Sequence, residues 1–258
     1  MRGHILTGVY MSSKVVVLIP ARFSSSRFPG KPLAMIAGKT MIQRVYENCA
    51  RSGFECAVVT DDSRIEEHVN SFGGKALRVD DDVPSGSERI ALAYQHYYKN
   101  KNFEIIINVQ GDEPLLNGDI LKELADFHSQ SKFEMGTLIR PRSTRDEEFL
   151  NPNVVKAVFS QESQRCLYFS RASLPYSRDQ IADYNWYQHI GVYSYKAHAL
   201  EAFVKLPESH LEKMERLEQL RALENGMSIG AVISHQKLMG VDVPDDVKKV
   251  EEVLRESK

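Results

Sequence analysis

A run of apolar β-formers, Val15-Val16-Val17-Leu18-Ile19, passes directly into a loop that carries Arg22, Arg27 and Lys31 and no acid among them. A strand without polar alternation is buried on both faces, the habit of parallel strands covered by helices. Three cations at its C-terminal edge make a receptor suited to a polyphosphate. Between Lys14 and Arg51 seven basic residues stand against one acid, Glu47. The whole chain carries a formal net charge of −2, so the excess is local and marks a small positive site.

Strand and helix patterns alternate through the first half. Strands are expected at 15–19, 56–60, 76–79, 105–109 and 135–139. Helices fall between them. One opens on the capping pair Thr40/Gln43, one on Ser63/Glu66 and stops at Gly73-Gly74, one covers 87–98 and one about 119–128. This order implies an α/β fold with a mostly parallel, Rossmann-like sheet flanked by helices on both faces. Ligands then lie beyond the carboxyl ends of the strands.

After Arg140 the rhythm changes. Segments 154–159, 166–168 and 187–195 read as strands with short polar connections, so residues about 141–197 form a β-rich insertion, expected to act as a lid and a dimerisation element. A helix bearing Leu211, Met214, Leu217 and Leu220 then runs to Asn225-Gly226, before a strand at 229–233 and a last helix at 245–256. Residues 14–258 make one domain, and 1–13, which lack the apolar block of a signal peptide, are expected to be a disordered extension.

Composition narrows the function classes. At 258 residues, with 42% hydrophobic and 26% charged residues, the chain can bury a full α/β core. Its mild negative charge argues against nucleic acid as a partner. No apolar run approaches the roughly 20 residues that span a bilayer, which argues against a membrane. Cys49, Cys56 and Cys166 form no CxxC pair, which suits a reducing cytoplasm and disfavours zinc.

Two familiar phosphate motifs are absent. A P-loop needs Gly five residues before its GK and Ser or Thr after it, and Ser25 and Pro32 stand there. Ser24 to Ser26 also exclude a GxGxxG fingerprint. The cations must therefore do more of the binding: arginine by planar two-point hydrogen bonding, lysine as a point charge. Solvated loop charges are the bland alternative, which the stiffening prolines 20, 29 and 32 disfavour.

Asn108-Val109-Gln110-Gly111-Asp112-Glu113-Pro114 follows the 105–107 core strand. Asp112 at a strand end beside a permissive glycine is placed to hold Mg²⁺, or else to make an Asx turn. Magnesium takes one or two carboxylates, and Asp242 is the second candidate, although its place before Pro244 equally suits a turn. Ser85-Gly86-Ser87-Glu88-Arg89 opens a helix where a base or ribose can meet backbone N–H groups, and ordinary capping explains the same pattern. Arg171, His189, Glu218 and Gln219 are candidates for binding a carboxylate and hydroxyls, or are ordinary satisfied side chains.

Together these segments resemble the 3-deoxy-manno-octulosonate cytidylyltransferase family, the CMP-Kdo synthetases of Gram-negative lipopolysaccharide assembly. The likeness runs from about Val15 to Leu254. It rests on IPARFSSSRFPGKPL, SGSERIA, NVQGDEP, NPNVVKAV, YFSRASLPY, HIGVYSY, LEKMERLEQLRALENG and GVDVPDD, in order and spacing. Phe23 and Phe28 stand where Tyr and Leu are commoner, Ser194 where Gly is usual, and Val243 where Thr is usual. The resemblance implies the reaction CTP + Kdo → CMP-Kdo + pyrophosphate with Mg²⁺, in a homodimer. It implies that Arg22, Ser24, Arg27 and Lys31 hold the triphosphate, with Gln110, Ser87 and Arg89 at the cytidine. Asp112 and Asp242 would bind Mg²⁺, and Gln110, Arg171, His189, Glu218 and Gln219 would line the sugar pocket. Arg22, Arg27, Lys31 and Asp112 would carry catalysis. A sialic-acid or UDP-sugar enzyme would keep the sheet and change the pockets.

Overall fold

The computed structural model describes residues 14–24, 28–179, 181, 183–236 and 238–256. The expectation for residues 1–13, and the placement of Arg27, lie outside them. The chain runs β1 (Val15–Ala21), β2 (Met35–Ile36), β3 (Lys39–Thr40), α1 (Met41–Ala50), β4 (Glu55–Thr60), α2 (Ser63–Ser71), β5 (Ala76–Arg78) and α3 (Gly86–Ala93). It continues through β6 (Ile105–Val109), α4 (Gly118–Gln130), β7 (Met135–Ser143), β8 (Lys156–Ser160), β9 (Arg165–Ser170) and β10 (Asn185–Lys196). The last elements are α5 (Ala197–Phe203), α6 (His210–Glu215), α7 (Gln219–Glu224), β11 (Ile229–Ile233) and α8 (Pro244–Glu256).

Nine strands among the described residues form one sheet in the order β5-β4-β1-β6-β10-β7-β11-β9-β8. The β5-β4-β1-β6 block is parallel, as is the β7/β11 pair. β10 runs antiparallel between β6 and β7. The continuous apolar run of β1 now has its reason: Val16 and Leu18 enter one core, Val17 and Ile19 the other, and all four are fully buried. Each such side chain contributes about 1.5–3 kcal/mol of burial. Helices α1, α2, α4 and α8 cover the face of Val17, and α3, α5 and α7 the face of Val16.

The β-rich segment joins this sheet. β10 is a central strand, and β8 and β9 form the far edge. Because β6, β7 and β11 all point the way β1 does, the loops after β1, β6 and β11 emerge at one edge.

Two local expectations are corrected. α2 is capped by Asp62, whose carboxylate accepts from the N–H of Arg64 at 3.0 Å and also pairs with the Arg64 side chain, so the Ser63/Glu66 box does not form. The single helix expected before Asn225 is two, α6 and α7, broken at Arg216 with φ 53°. The reason is a buried pair: the Arg221 guanidinium donates to both Glu212 oxygens at 2.8 and 2.7 Å. Nine residues apart, these side chains would stand on opposite faces of a straight helix. They meet only if the chain folds back.

Candidate active site

Three loops meet at the shared strand edge. The first is tied together at its described ends: Gly30 takes φ 71°, its N–H donates to the Phe23 carbonyl at 2.9 Å, and Arg64 stacks on the Phe23 ring, 3.3 Å from its centroid. The second, after β6, passes so close that a Cβ at Gly111 would lie 2.9 Å from the Pro20 carbonyl oxygen. That approach requires glycine. The third, after β11, is fastened when the N–H of Val241 donates to the Asp112 carbonyl at 2.9 Å.

Lys31 stands where the three meet. Its Nζ lies 2.5 Å from Asp112 Oδ2, donates to the Val241 carbonyl at 3.0 Å, and is 3.9 Å from Asp242 Oδ1. Above it opens a cavity of about 580 Å³ lined by Arg22, Ser24, Lys31, Pro84, Gln110 and Asp112. The Arg22 guanidinium donates to the Val83 carbonyl, which anchors it at the rim. Behind the bridge, burial and then the charges of Asp112 and Asp242 push the Glu113 carboxyl up to about 8, opposed by Lys31. Its Oε2 is buried without a partner.

This donor set fits a hard divalent cation. Two carboxylates and a carbonyl already converge on one positive group, and hard-oxygen ligands of that number suit magnesium, which keeps its remaining ligands as water and phosphate. Among the described residues no group of three or more His, Cys, Asp or Glu gathers in a way that could hold a metal ion.

The remaining candidates divide. Ser87, at the start of α3, donates to Glu218 Oε2 at 2.8 Å, so the α6–α7 corner brings Glu218 against α3, where it lines a separate cavity of about 530 Å³ with Pro84 and Ser85. Burial raises the Glu218 carboxyl, and its Oε1 and the Nε2 of buried Gln219 lack partners. Both side-chain atoms of Asn108 are likewise buried and unmatched. His189 packs against Phe169 and Tyr193, with ring centroids 4.8 and 5.4 Å away. Its Nε2 lies 3.1 Å from Thr137 Oγ1, and burial pushes its pKa down to about 3.

Two arginines are engaged elsewhere. Arg89 is fully buried and donates to the Val79 carbonyl at 2.8 Å and to Asp61 at 2.7 Å. Arg171 donates to the carbonyls of Glu215 (2.6 Å), Pro152 (3.0 Å) and Arg216 (3.4 Å), which clamps the α6–α7 corner. The structure therefore brings Arg22, Ser24, Lys31, Gln110, Asp112 and Asp242 together, and Ser87 with Glu218. It does not gather Arg171, His189, Glu218 and Gln219 into one cavity.

The cytidylyltransferase family model matches residues 16–229. A 3-deoxy-manno-octulosonate cytidylyltransferase of Thermodesulfovibrio yellowstonii is 43% identical over 250 residues, covering 93% of this chain and 97% of that protein. One from Syntrophobacter fumaroxidans is 44% identical, with 93% and 97% covered. The chain belongs to the 3-deoxy-manno-octulosonate cytidylyltransferase family.

A solved CMP:2-keto-3-deoxy-manno-octonic acid synthetase complexed with CTP is 37% identical, with a TM-score of 0.88 over 95% of this chain and all of that one. A cytidylyltransferase from Leptospira borgpetersenii serovar Hardjo-bovis, 17% identical with a TM-score of 0.61 and 94% and 87% covered, shares the fold. As a cytidylyltransferase the chain is an enzyme of nucleotidyl transfer. Sequence reasoning passed over Glu113 and Arg140 at this edge, and Tyr193 beside His189. Glu113 and Tyr193 lie inside recognised motifs, GDEP and HIGVYSY, and position in the motif was the available signal. Arg140 lay at the boundary where the rhythm changed and carried none.

Proposed function

We propose that this enzyme transfers CMP from CTP to the anomeric hydroxyl of 3-deoxy-D-manno-octulosonate, releasing pyrophosphate. The observation that carries the reading is Lys31 bridging Asp112 and Asp242 at the floor of a cavity rimmed by Arg22. Relatives named for this reaction over nearly the whole chain support it.

Both reactants are anions, so the protein's first task is to make their approach tolerable. A triphosphate brings about four negative charges, and positioned cations supply most of what such a transfer needs. Arg22 is held at the rim by Val83, and Arg27 belongs to the same loop. Lys31 faces the phosphates from below. Pro20, Pro32 and the Phe23–Gly30 contact keep Arg22 and Lys31 in place before substrate arrives, which lowers the ordering cost of binding. The α3 N-terminus at Ser85 to Ser87 and the amide of Gln110 hold the nucleoside end. The unmatched groups of Glu218, Gln219 and Asn108 offer acceptors and donors to sugar hydroxyls, because buried polar atoms without partners are costly until a ligand pairs them.

Asp112 and Asp242 would hold Mg²⁺, which supplies charge neutralisation and polarisation at the transferring phosphate when bound. Asp112→Asn is expected to lower turnover far more than it weakens sugar binding. We also place homodimer formation on the β-rich segment, where Leu150, Leu167 and Tyr176 are exposed apolar side chains. Light scattering tests this, with a monomer at micromolar concentration as the refuting result. The test of function is pyrophosphate release with CTP, Mg²⁺ and the sugar acid, against controls lacking each. Equal turnover with a sialic acid or with UTP refutes the assignment of substrate.

A further inference from the structure

A second cavity, of about 650 Å³, opens on the other side of the Lys31 bridge. It shares Asp242 and Glu113 with that region and extends along β7 and β10 to Arg140, Arg142, Asn151 and Asn153. Arg140 stands opposite Gln188 in the β7/β10 register and on the same face as Leu138, two residues before it.

The cations of this cavity differ in one respect. Arg142 is saturated, donating to Asp146 and to Gln188 Oε1 (2.8 Å) and pairing with Glu148 at 2.9 Å. Lys249 is bound to Asp246 at 3.0 Å. The Arg140 guanidinium donates to no acceptor among the described residues. Burial and then the like charge of Arg142 weigh on it, opposed in part by the charges of Glu148 and Asp146, which are already engaged by Arg142. A half-buried cation in that position is relieved by a counter-anion. Neutral donors flank it: Asn151 uses its Oδ1 to accept from the N–H of Asn153 at 2.9 Å, which leaves its amide NH₂ free to donate. The Asn153 side chain is exposed and has no hydrogen bond among the described residues.

We propose that Arg140, with the Asn151 and Asn153 amides, forms a subsite for a small oxyanion, a carboxylate or a phosphate, distinct from the triphosphate loop. One guanidinium with two amides matches the planar, two-point recognition of such a group. The function proposed above offers two sources, the carboxylate of the sugar acid and the released pyrophosphate, and only the choice between them rests on that reading.

Binding of inorganic pyrophosphate and of 3-deoxy-D-manno-octulosonate, each alone, is measured by calorimetry on wild type, Arg140→Gln, Arg140→Lys and Asn153→Ala. Loss of a charge-assisted pair weakens the cognate anion by about tenfold or more in Arg140→Gln, with partial recovery in Arg140→Lys. Weakening confined to the sugar acid identifies its carboxylate as the ligand, and weakening confined to pyrophosphate identifies the leaving group. Changes below twofold for both anions in Arg140→Gln overturn the proposal. Asn153→Ala alters an exposed loop residue, so it decides the matter should Arg140→Gln fail to fold: unchanged binding of both anions again refutes. Wild-type pyrophosphate release is assayed in parallel. Its absence sinks the reaction assigned above and leaves the binding comparison intact.

Discussion

Replacing Lys31 with methionine removes one charge and little volume from the point where three loops meet. With an effective dielectric near 20, the Asp112 contact at 2.5 Å is worth about 7 kcal/mol before costs, and the Asp242 contact at 3.9 Å about 4. Neither figure reaches folding stability. The Asp112 and Asp242 side chains are 30% and 58% exposed, so water screens both, and the ammonium loses hydration when it is enclosed. Net destabilisation of the ligand-free protein is expected near 1–2 kcal/mol. With a triphosphate bound, the same ammonium faces several charges at once. Its loss is expected to lower kcat/KM by about 10²–10³, equivalent to roughly 3–4 kcal/mol of barrier. Lys31→Arg keeps the charge, but a planar fork does not fit a point where two carboxylates and a carbonyl converge, so intermediate activity is expected. The assay is pyrophosphate release under saturating Mg²⁺, alongside urea unfolding. Turnover within threefold of wild type, or a stability loss that accounts for the whole effect, refutes the reasoning.

Three further outcomes follow from the packing. Gly111→Ala places a methyl 2.9 Å from the Pro20 carbonyl and forces the β1 and β6 loops apart, so KM for CTP is expected to rise with a stability loss of about 1–3 kcal/mol; an unchanged KM counts against that close approach. Glu212→Gln leaves the Arg221 guanidinium buried without its counter-charge and is expected to cost about 3–5 kcal/mol in denaturant unfolding. A loss below 1 kcal/mol shows that the α6–α7 corner is held by other contacts. His128 is fully buried, which pushes its pKa down to about 4. The folded protein therefore stays neutral there while the unfolded chain takes up a proton near pH 6.5. This group's contribution is complete above about pH 6.5 and is lost as pH falls toward 4, at up to about 1.4 kcal/mol per pH unit. His128→Gln is expected to flatten the pH dependence of the urea midpoint between pH 6.5 and 5, and an unaltered slope refutes the assignment.

Legibility in the sequence followed the range of the interactions. The run Val15 to Ile19 announces a strand buried on both faces, since each side chain needs an apolar environment whatever its neighbours are. The strand at 229–233 is legible from its apolar run and the final helix at 245–256 from its amphipathic spacing, each to within a residue. Partners across the sheet are another matter. Segment 187–195 is evidently a strand, but its apolar pattern cannot say that it lies between β6 and β7 near the centre of the sheet. Strand order is a long-range property, whereas the pattern fixes only which face is buried.

The site divides along the same line. Lys31, Asp112 and Asp242 were each nominated from local chemistry, the cationic loop, the glycine beside a strand end and the turn before Pro244. Their convergence follows from strand direction, because parallel β1, β6 and β11 deliver their loops to one edge. Arg89 and Arg171 show where local chemistry leaves two roles open. A guanidinium in a recognised motif serves equally well to bind a ligand or to tie down carbonyls, and both of these do the latter. Arg171 holds the Glu215 and Arg216 carbonyls, and that corner sets Glu218 against Ser87. A residue in this position reaches the substrate through the backbone it shapes. Loss of Arg171 should therefore resemble loss of the corner, with Glu218 displaced and stability lowered together, rather than the clean weakening of one anion that Arg140→Gln is expected to show.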